Sequence, residues 1–177
     1  MTNFLPAHPE EKKRLDALHA LGILDTEPDS AFDEITKEVT RLLHVPISTI
    51  SLIDNEREWY KSRQGLQMRE GPRVIAFCSW ALLAKRIFIV EDLLKDERFK
   101  DNPYVTGDPL LRFYAGVPLY DWGSRLPVGV LCAKDVKPRT LSLKEIETLL
   151  VLAKEAENLI NNYRLHTKNN SPGGRYP

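Results

Sequence analysis

The sequence predicts an α/β (α+β) fold, a central antiparallel sheet of five to six strands with helices on both faces. Three observations carry this. Apolar residues recur at helical spacing near both ends of the chain, as in Phe32, Ile35 and Val39. Between them lie segments too short for helices that either alternate or run apolar on both sides, as in Phe113, Ala115, Val117 and Leu119 against Tyr114 and Gly116. Their order is two helices, two strands, a helix, a strand, a long loop, two strands and a helix, which is not the regular alternation of a parallel sheet.

Each element follows in turn. Residues 10–21 read as a helix through Leu15, Leu18 and Leu21, with Gly22 as the stop. Asp29 or Ser30 caps a second helix that runs to about Leu43, and Pro46 closes the helical option. Residues 47–54 and 58–64 read as strands joined by a turn at 54–57. Residues 65–73 read as loop and 77–84 as a short helix. Residues 86–91 are apolar on both faces, which predicts a central strand. The stretch 102–109 holds Asn-Pro, Gly-Asp and Asp-Pro pairs and reads as a loop that no helix or strand absorbs. Residues 112–121 and 127–135 form two strands with a hairpin turn at 122–125. Ser142 and Glu145 form a capping box for a helix that reaches about Leu165.

At 177 residues the chain suits one domain with a sizeable core. The expected division is an extension at 1–9, one domain at 10–166 and a flexible tail at 167–177. Lys+Arg and Asp+Glu are both 25, so no global field draws the protein to nucleic acid or to an anionic membrane. No apolar run approaches the roughly 20 residues needed to span a bilayer. Two cysteines in apolar segments and the absence of a signal-peptide core lead to the expectation of a cytoplasmic, reduced protein.

Several segments taken together resemble the GAF family of sensory domains, in the subset found at the front of bacterial histidine kinases and diguanylate cyclases. They are Leu21-Gly22-Ile23-Leu24-Asp25-Thr26, Phe32-Asp33-Glu34-Ile35-Thr36, Ile50-Ser51-Leu52-Ile53-Asp54, Glu58-Trp59-Tyr60-Lys61-Ser62 and Ala76-Phe77-Cys78. Asp96-Glu97-Arg98-Phe99, Arg112-Phe113-Tyr114-Ala115-Gly116 and Leu131-Cys132 complete the set. The resemblance runs from about Arg14 to Ile160. It implies a signal-binding module that is not an enzyme and carries no cofactor.

The resemblance also implies a ligand site between the sheet and a cover made of residues 77–83 and 92–111. Trp80, Phe99, Phe113 and Tyr114 are the candidate stacking surfaces; Ser79, Asp92, Asn102, Thr106 and Arg112 are the candidate hydrogen-bonding groups. The competing reading places Phe77, Trp80, Phe99 and Phe113 in the core. Arg112, at the start of a buried strand, needs a carboxylate, phosphate or carbonyl partner. Asp92, Asp96 and Asp101 are the expected ion-pair candidates.

A cyclic nucleotide is a candidate ligand, although the signature those GAF domains carry is met here only by Lys134, with Glu145 in place of an aspartate. No cysteine or histidine lies in residues 92–111, which argues against a covalently attached bilin. An enzymatic alternative is a free methionine-(R)-sulfoxide reductase using Cys78, whose thiol would be activated at a helix N-terminus. Against it, Cys78 sits among aromatics and Cys132 in a two-sided apolar strand. Finally, Ile146, Leu149, Ala153, Ala156, Ile160 and Tyr163 form a heptad seam. It either mediates a homodimer through the C-terminal helix or packs on the domain's own sheet.

Overall fold

Asp29 opens the longer of the two N-terminal helices as expected, its Oδ1 accepting the Ala31 N–H at 2.9 Å. The computed structural model describes residues 6–169, with side chains as far as Tyr163. Helix α1 spans Glu11–Ala20 and α2 spans Ser30–Leu43. Phe32, Ile35, Thr36, Val39 and Leu43 form the buried stripe of α2. Between the helices Gly22 takes φ +65°, a left-handed turn that glycine enters without cost.

The strands are β1 (Ile47–Ile53), β2 (Arg57–Gln64), β3 (Glu70–Pro72), β4 (Phe88–Val90), β5 (Phe113–Tyr120) and β6 (Pro127–Asp135). They form one six-stranded sheet in the order β3-β2-β1-β6-β5-β4, and every adjacent pair is antiparallel. Helix α5 spans Leu143–Asn169 and starts with the capping box: Glu145 Oε2 accepts the Ser142 N–H at 2.7 Å. Two short helices, α3 (Cys78–Ala81) and α4 (Pro103–Thr106), lie in the cover.

The period of two divides the sheet's side chains between two cores. On the helix side, Ile50, Leu52, Phe113, Ala115, Val117, Leu131 and Ala133 meet Leu18 of α1, the α2 stripe and α5. On the cover side, Ile47, Ile53, Tyr114, Val130 and Cys132 meet Phe77, Cys78, Ala81, Leu82, Phe99 and Val105.

Three sequence expectations are corrected. Segment 86–91 is an edge strand, since β4 pairs with β5 alone; its two-sided apolarity arises because Ile89 meets the helix-side core and Phe88 and Val90 the cover. Residues 65–73 contain β3, a strand too short and too rich in Gly71 and Pro72 to show a period. The 102–109 segment does hold a helix: Asn102 caps α4, accepting the Tyr104 N–H at 2.9 Å, with Pro103 in its first turn. The expected tail at 167–177 overlaps α5 up to Asn169; residues 170–177 lie outside the described residues, as do residues 1–5 of the expected extension.

Candidate functional site

The cover side of the sheet carries polar groups that an apolar core would exclude. Thr49 and Ser51 of β1, Glu58 and Tyr60 of β2, and Cys132 and Lys134 of β6 all face the cover, and all are buried. The Lys134 ammonium lies 3.9 Å from Glu58 Oε1, with side-chain exposures of 7% and 2%. That is an ion pair too long to be a hydrogen bond. Among the described residues Glu58 Oε1 has no hydrogen-bond partner. Its other oxygen accepts the Tyr60 hydroxyl at 3.4 Å, and the ammonium stands 5.7 Å from the Tyr60 ring. The Tyr104 hydroxyl approaches from α4: a Cβ on Gly71 would lie 2.9 Å from it and 3.5 Å from the Tyr60 hydroxyl.

Beside this pair lies a chain of hydroxyls and thiols. Thr49 Oγ1 is 2.7 Å from Ser51 Oγ and 2.9 Å from Cys132 Sγ. Cys78 Sγ donates to Ser51 Oγ at 3.7 Å and accepts from the Tyr114 hydroxyl at 3.0 Å. Burial pushes the Cys78 thiol well above its ordinary value, and its neighbour Cys132 adds to the rise. Burial also works against a Cys132 thiolate. The neighbouring Cys78 thiol and the Lys134 ammonium outweigh it and bring Cys132 down to about 7. Lys134 remains a cation: burial opposes its charge, but Cys132, Glu58 and Tyr60 hold its pKa above the usual lysine range. Burial raises Tyr60, Tyr104 and Tyr114, so all three phenols are neutral donors.

The residues singled out in the sequence surround this cluster unevenly. Tyr114 belongs to it through Cys78. Phe99 and Trp80 meet edge to face at 5.6 Å, and Phe99 meets Phe77 at 5.2 Å and Phe88 at 6.1 Å in the same way, which makes an aromatic lid. Arg98 lies 5.4 Å from the Trp80 ring, on the outer side of the lid. Asn102 and Ser79 brace the cover, donating to the carbonyls of Ile75 at 2.9 Å and Arg73 at 3.4 Å. Arg112 Nη1 donates to the carbonyls of Val105, Leu110 and Leu111, the carbonyl option among its expected partners. Thr106 is exposed and donates to the Asn102 carbonyl, while Asp92 caps a turn at Leu94 N. Phe113 is not brought to this side; alternation with Tyr114 sends it to the helix-side core.

Sequence reasoning did not place Glu58, Tyr60, Tyr104, Thr49 or Ser51 among the site residues, read Cys132 as a buried core cysteine, and treated Lys134 only as part of a signature. One signal was available: Lys134 stands next to last, before Asp135, in a strand whose first seven residues are apolar, where a cation needs a buried partner. Among the described residues, no group of His, Cys, Asp and Glu is placed to hold a metal ion.

The GAF domain family matches residues 27–160. The chain belongs to that family. This GAF domain is 37% identical over 173 residues to a cyclic di-GMP phosphodiesterase of Pseudomonas aeruginosa, a match that covers 97% of the chain and 29% of the relative. The expectation that the protein is not an enzyme is overturned by this relative, which is named for an enzymatic activity. The chain thus spans under a third of the length of the curated relative it matches.

Solved structures share the fold. The GAF domain of a phosphoenolpyruvate-protein phosphotransferase from Coxiella burnetii superposes with a TM-score of 0.65 at 12% identity, over 89% of this chain and 98% of that one. Its counterpart from Acinetobacter gives 0.62 at 20% identity, over 92% and 98%. A free methionine-R-sulfoxide reductase of Neisseria meningitidis gives 0.61 at 17% identity, over 94% and 99%. These likenesses extend to the fold alone. The sealed, raised Cys78 thiol of this GAF domain is the opposite of an activated nucleophile.

Two further features bear on the flanking helices. The heptad seam of α5 is spent inside the molecule: Leu149, Ala153, Ala156 and Ile160 are buried in the helix-side core, with Ile146 and Tyr163 beside it. No described helix is long and apolar enough to cross a membrane.

Proposed function

We propose that this GAF domain is the regulatory domain of an enzyme of cyclic-dinucleotide turnover, that it binds a small polar molecule between sheet and cover, and that it reports occupancy through α1 and α5. The observation that carries the reading is the Glu58–Lys134 pair: two sealed opposite charges held 3.9 Å apart, with one carboxylate oxygen lacking any hydrogen bond. Charges buried at such cost and left short of partners suit a site that a ligand completes. The aromatic lid and the Asn102 brace form the part that would move.

A route to α1 is present. The Asn102 brace holds α4 to the Ile75 carbonyl at 2.9 Å. Two residues earlier, Arg73 pairs with Glu11 of α1 at 2.7 Å. Arg14 of α1 binds the same carboxylate at 2.8 Å and donates to the Ile53 carbonyl at 2.7 Å, at the end of β1. Ligand binding biases this route to the extent that it favours one arrangement of the cover over another.

Cyclic nucleotides are the first ligands to test, and a cytoplasmic location is part of the reading. Because the α5 seam is covered, pairing of two copies along α5 would use its outward residues, Leu143 and Val151, which are 81% and 60% exposed. The test is native mass spectrometry of freshly purified protein, followed by calorimetry with the co-purified molecule and with cyclic nucleotides. Saturable binding that is lost in Lys134→Met supports the proposal. Binding that is indifferent to both Lys134→Met and Glu58→Gln overturns this placement of the site.

A further inference from the structure

Strand β3 covers only the first part of β2. It pairs with Arg57, Glu58 and Trp59, and one more bond, Tyr60 N–H to the Arg69 carbonyl at 3.0 Å, closes that stretch of the edge. Beyond it, among the described residues, the outer edge of β2 has no strand neighbour. A cavity of about 570 Å³ opens there, between β2, the connector at residues 25–28 and the first turn of α2.

Its wall carries three cations, Lys61, Arg63 and Arg69. Among the described residues none of the three lies within 4.0 Å of a carboxylate. The acids of the same wall are mostly engaged: Asp25 and Glu70 each take an Arg57 N–H at 2.7 Å, and Asp33 accepts the Ser62 hydroxyl at 2.6 Å. Glu27 is the remaining acid and is exposed. Arg63 Nε is buried with no hydrogen-bond partner. A buried guanidinium N–H left unmet is costly, and among the described residues the outer N–H groups of Arg63 and the whole Arg69 guanidinium also lack a partner, which leaves them to donate into the cavity.

Lys61 adds to this. Its Nζ donates to Thr26 Oγ1 at 2.9 Å and to the Glu27 carbonyl at 2.8 Å, both neutral, which leaves one of three N–H groups. Burial pulls its pKa below the ordinary lysine range, against the opposing pull of Asp29, Asp33 and Glu27.

We propose that this cavity, which borders the cover-side cluster at Tyr60 but does not include the Glu58–Lys134 pair, is a second binding site for a phosphoryl group, free or carried on a small metabolite, with Arg63 and Arg69 as its donors and Lys61 adding charge. A lone carboxylate is satisfied by a single bidentate guanidinium, whereas a phosphoryl dianion has oxygens for several cations. The Lys61 ammonium also lies 5.3 Å from the Phe32 ring on α2 and 5.0 Å from the Tyr163 ring on α5. Occupancy therefore bears on the seat of the last helix without passing through the cover.

The test is a titration of the full chain at constant ionic strength, followed by amide NMR, with inorganic phosphate in one arm and glycerol 3-phosphate in the other. Chloride is the control. The expected result is saturable shifts around Lys61, Arg63, Arg69 and Tyr163, with affinity weakened roughly tenfold in Arg63→Gln and in Arg69→Gln. Tighter binding of the ester assigns the site to a phosphorylated metabolite, and equal binding assigns it to free phosphate. Shifts that fail to saturate, that chloride reproduces, or that survive both substitutions overturn the proposal. Arg69 is exposed, so its variant keeps the test readable if Arg63→Gln fails to fold. Unchanged phosphate affinity in the charge-free double variant Glu58→Gln/Lys134→Met separates this site from the Glu58–Lys134 site, and affinity lost there while the fold holds overturns the separation.

Discussion

Lys134 and Glu58 hold opposite charges 3.9 Å apart on the cover side of the sheet, with less than a tenth of either side chain exposed. The strands that carry them, β6 and β2, both pair with β1 and not with each other. The pair therefore spans the central strand, and it depends on the whole sheet being assembled. Such an arrangement contributes little net stability, because the desolvation of two ions cancels most of their attraction. Its use lies in the polarity it gives the site.

That balance predicts an asymmetry. Lys134→Met alone leaves the Glu58 carboxylate buried and unpaired, and breaking a buried pair this way costs about 3–5 kcal/mol. Glu58→Gln alone strands the ammonium at a similar cost. The double variant Glu58→Gln/Lys134→Met removes both charges and recovers much of the loss. Urea denaturation of the four proteins checks this; additive losses in the double variant would show that the two groups do not form one unit.

Gly116 offers a second prediction. A Cβ there would lie 2.5 Å from the Tyr114 hydroxyl and 2.9 Å from both Ala81 Cβ and Val130 Cγ1. Gly116→Ala should therefore displace Tyr114 from Cys78 and destabilise the domain by about 1–3 kcal/mol, the usual cost of overpacking. Because the new methyl group disturbs α3, native-state proteolysis in the cover should rise more than in α2. Protection that falls equally everywhere would mean that the cover does not respond on its own.

The fold was largely legible because its signals are local. Asp29, Gly22 and the Ser142–Glu145 box act within a few residues of themselves, and the alternation of β5 needs no partner to be read. Segment 86–91 failed for a physical reason. A strand is apolar on both faces when both faces are covered, and in this molecule the α5 layer and the lid cover even an edge. The candidate site was legible only in outline. The cover packs on the sheet where the sequence led one to expect it, and Tyr114 faces it. Glu58 and Tyr60, however, sit in a strand whose composition, Arg57 to Gln64, reads as a solvated edge. Their burial depends on Tyr104 and Gly71 closing from distant loops, a contact that no window of sequence contains.

Glu11 makes the clip between α1 and Arg73, in the turn that leads into the cover, sensitive to acid. Burial raises its pKa, but hydrogen bonds from Arg14 and Arg73 outweigh this and lower it from 4.5 to about 2. A depressed carboxylate adds stability that is fully present above its unfolded pKa and is lost as the pH falls through the folded one. The window therefore runs from about pH 4.5 down to about pH 2. In Glu11→Gln the acid limb of the stability curve should flatten across that window, and exchange of α1 amides should already be faster at pH 7. An unchanged acid limb would show that other carboxylates govern it.

The last prediction concerns α5. Leu149 and Ile160 lie on the heptad seam, yet both are fully buried against the sheet and α2 within one chain. Leu149→Glu should therefore unfold the domain and not merely separate two copies, since a carboxylate would be forced into an apolar core. Leu149→Ala should cost about 2–5 kcal/mol, as cavities of this kind do. Leu143→Glu/Val151→Glu alters only outward positions and should leave the fold intact. Circular dichroism reads the first outcome and light scattering the second. If the outward variant changes the mass in solution while its melting curve holds, two copies meet along that face. If Leu149→Glu stays folded and only the mass halves, the seam is an interface after all and the core assignment of α5 is wrong.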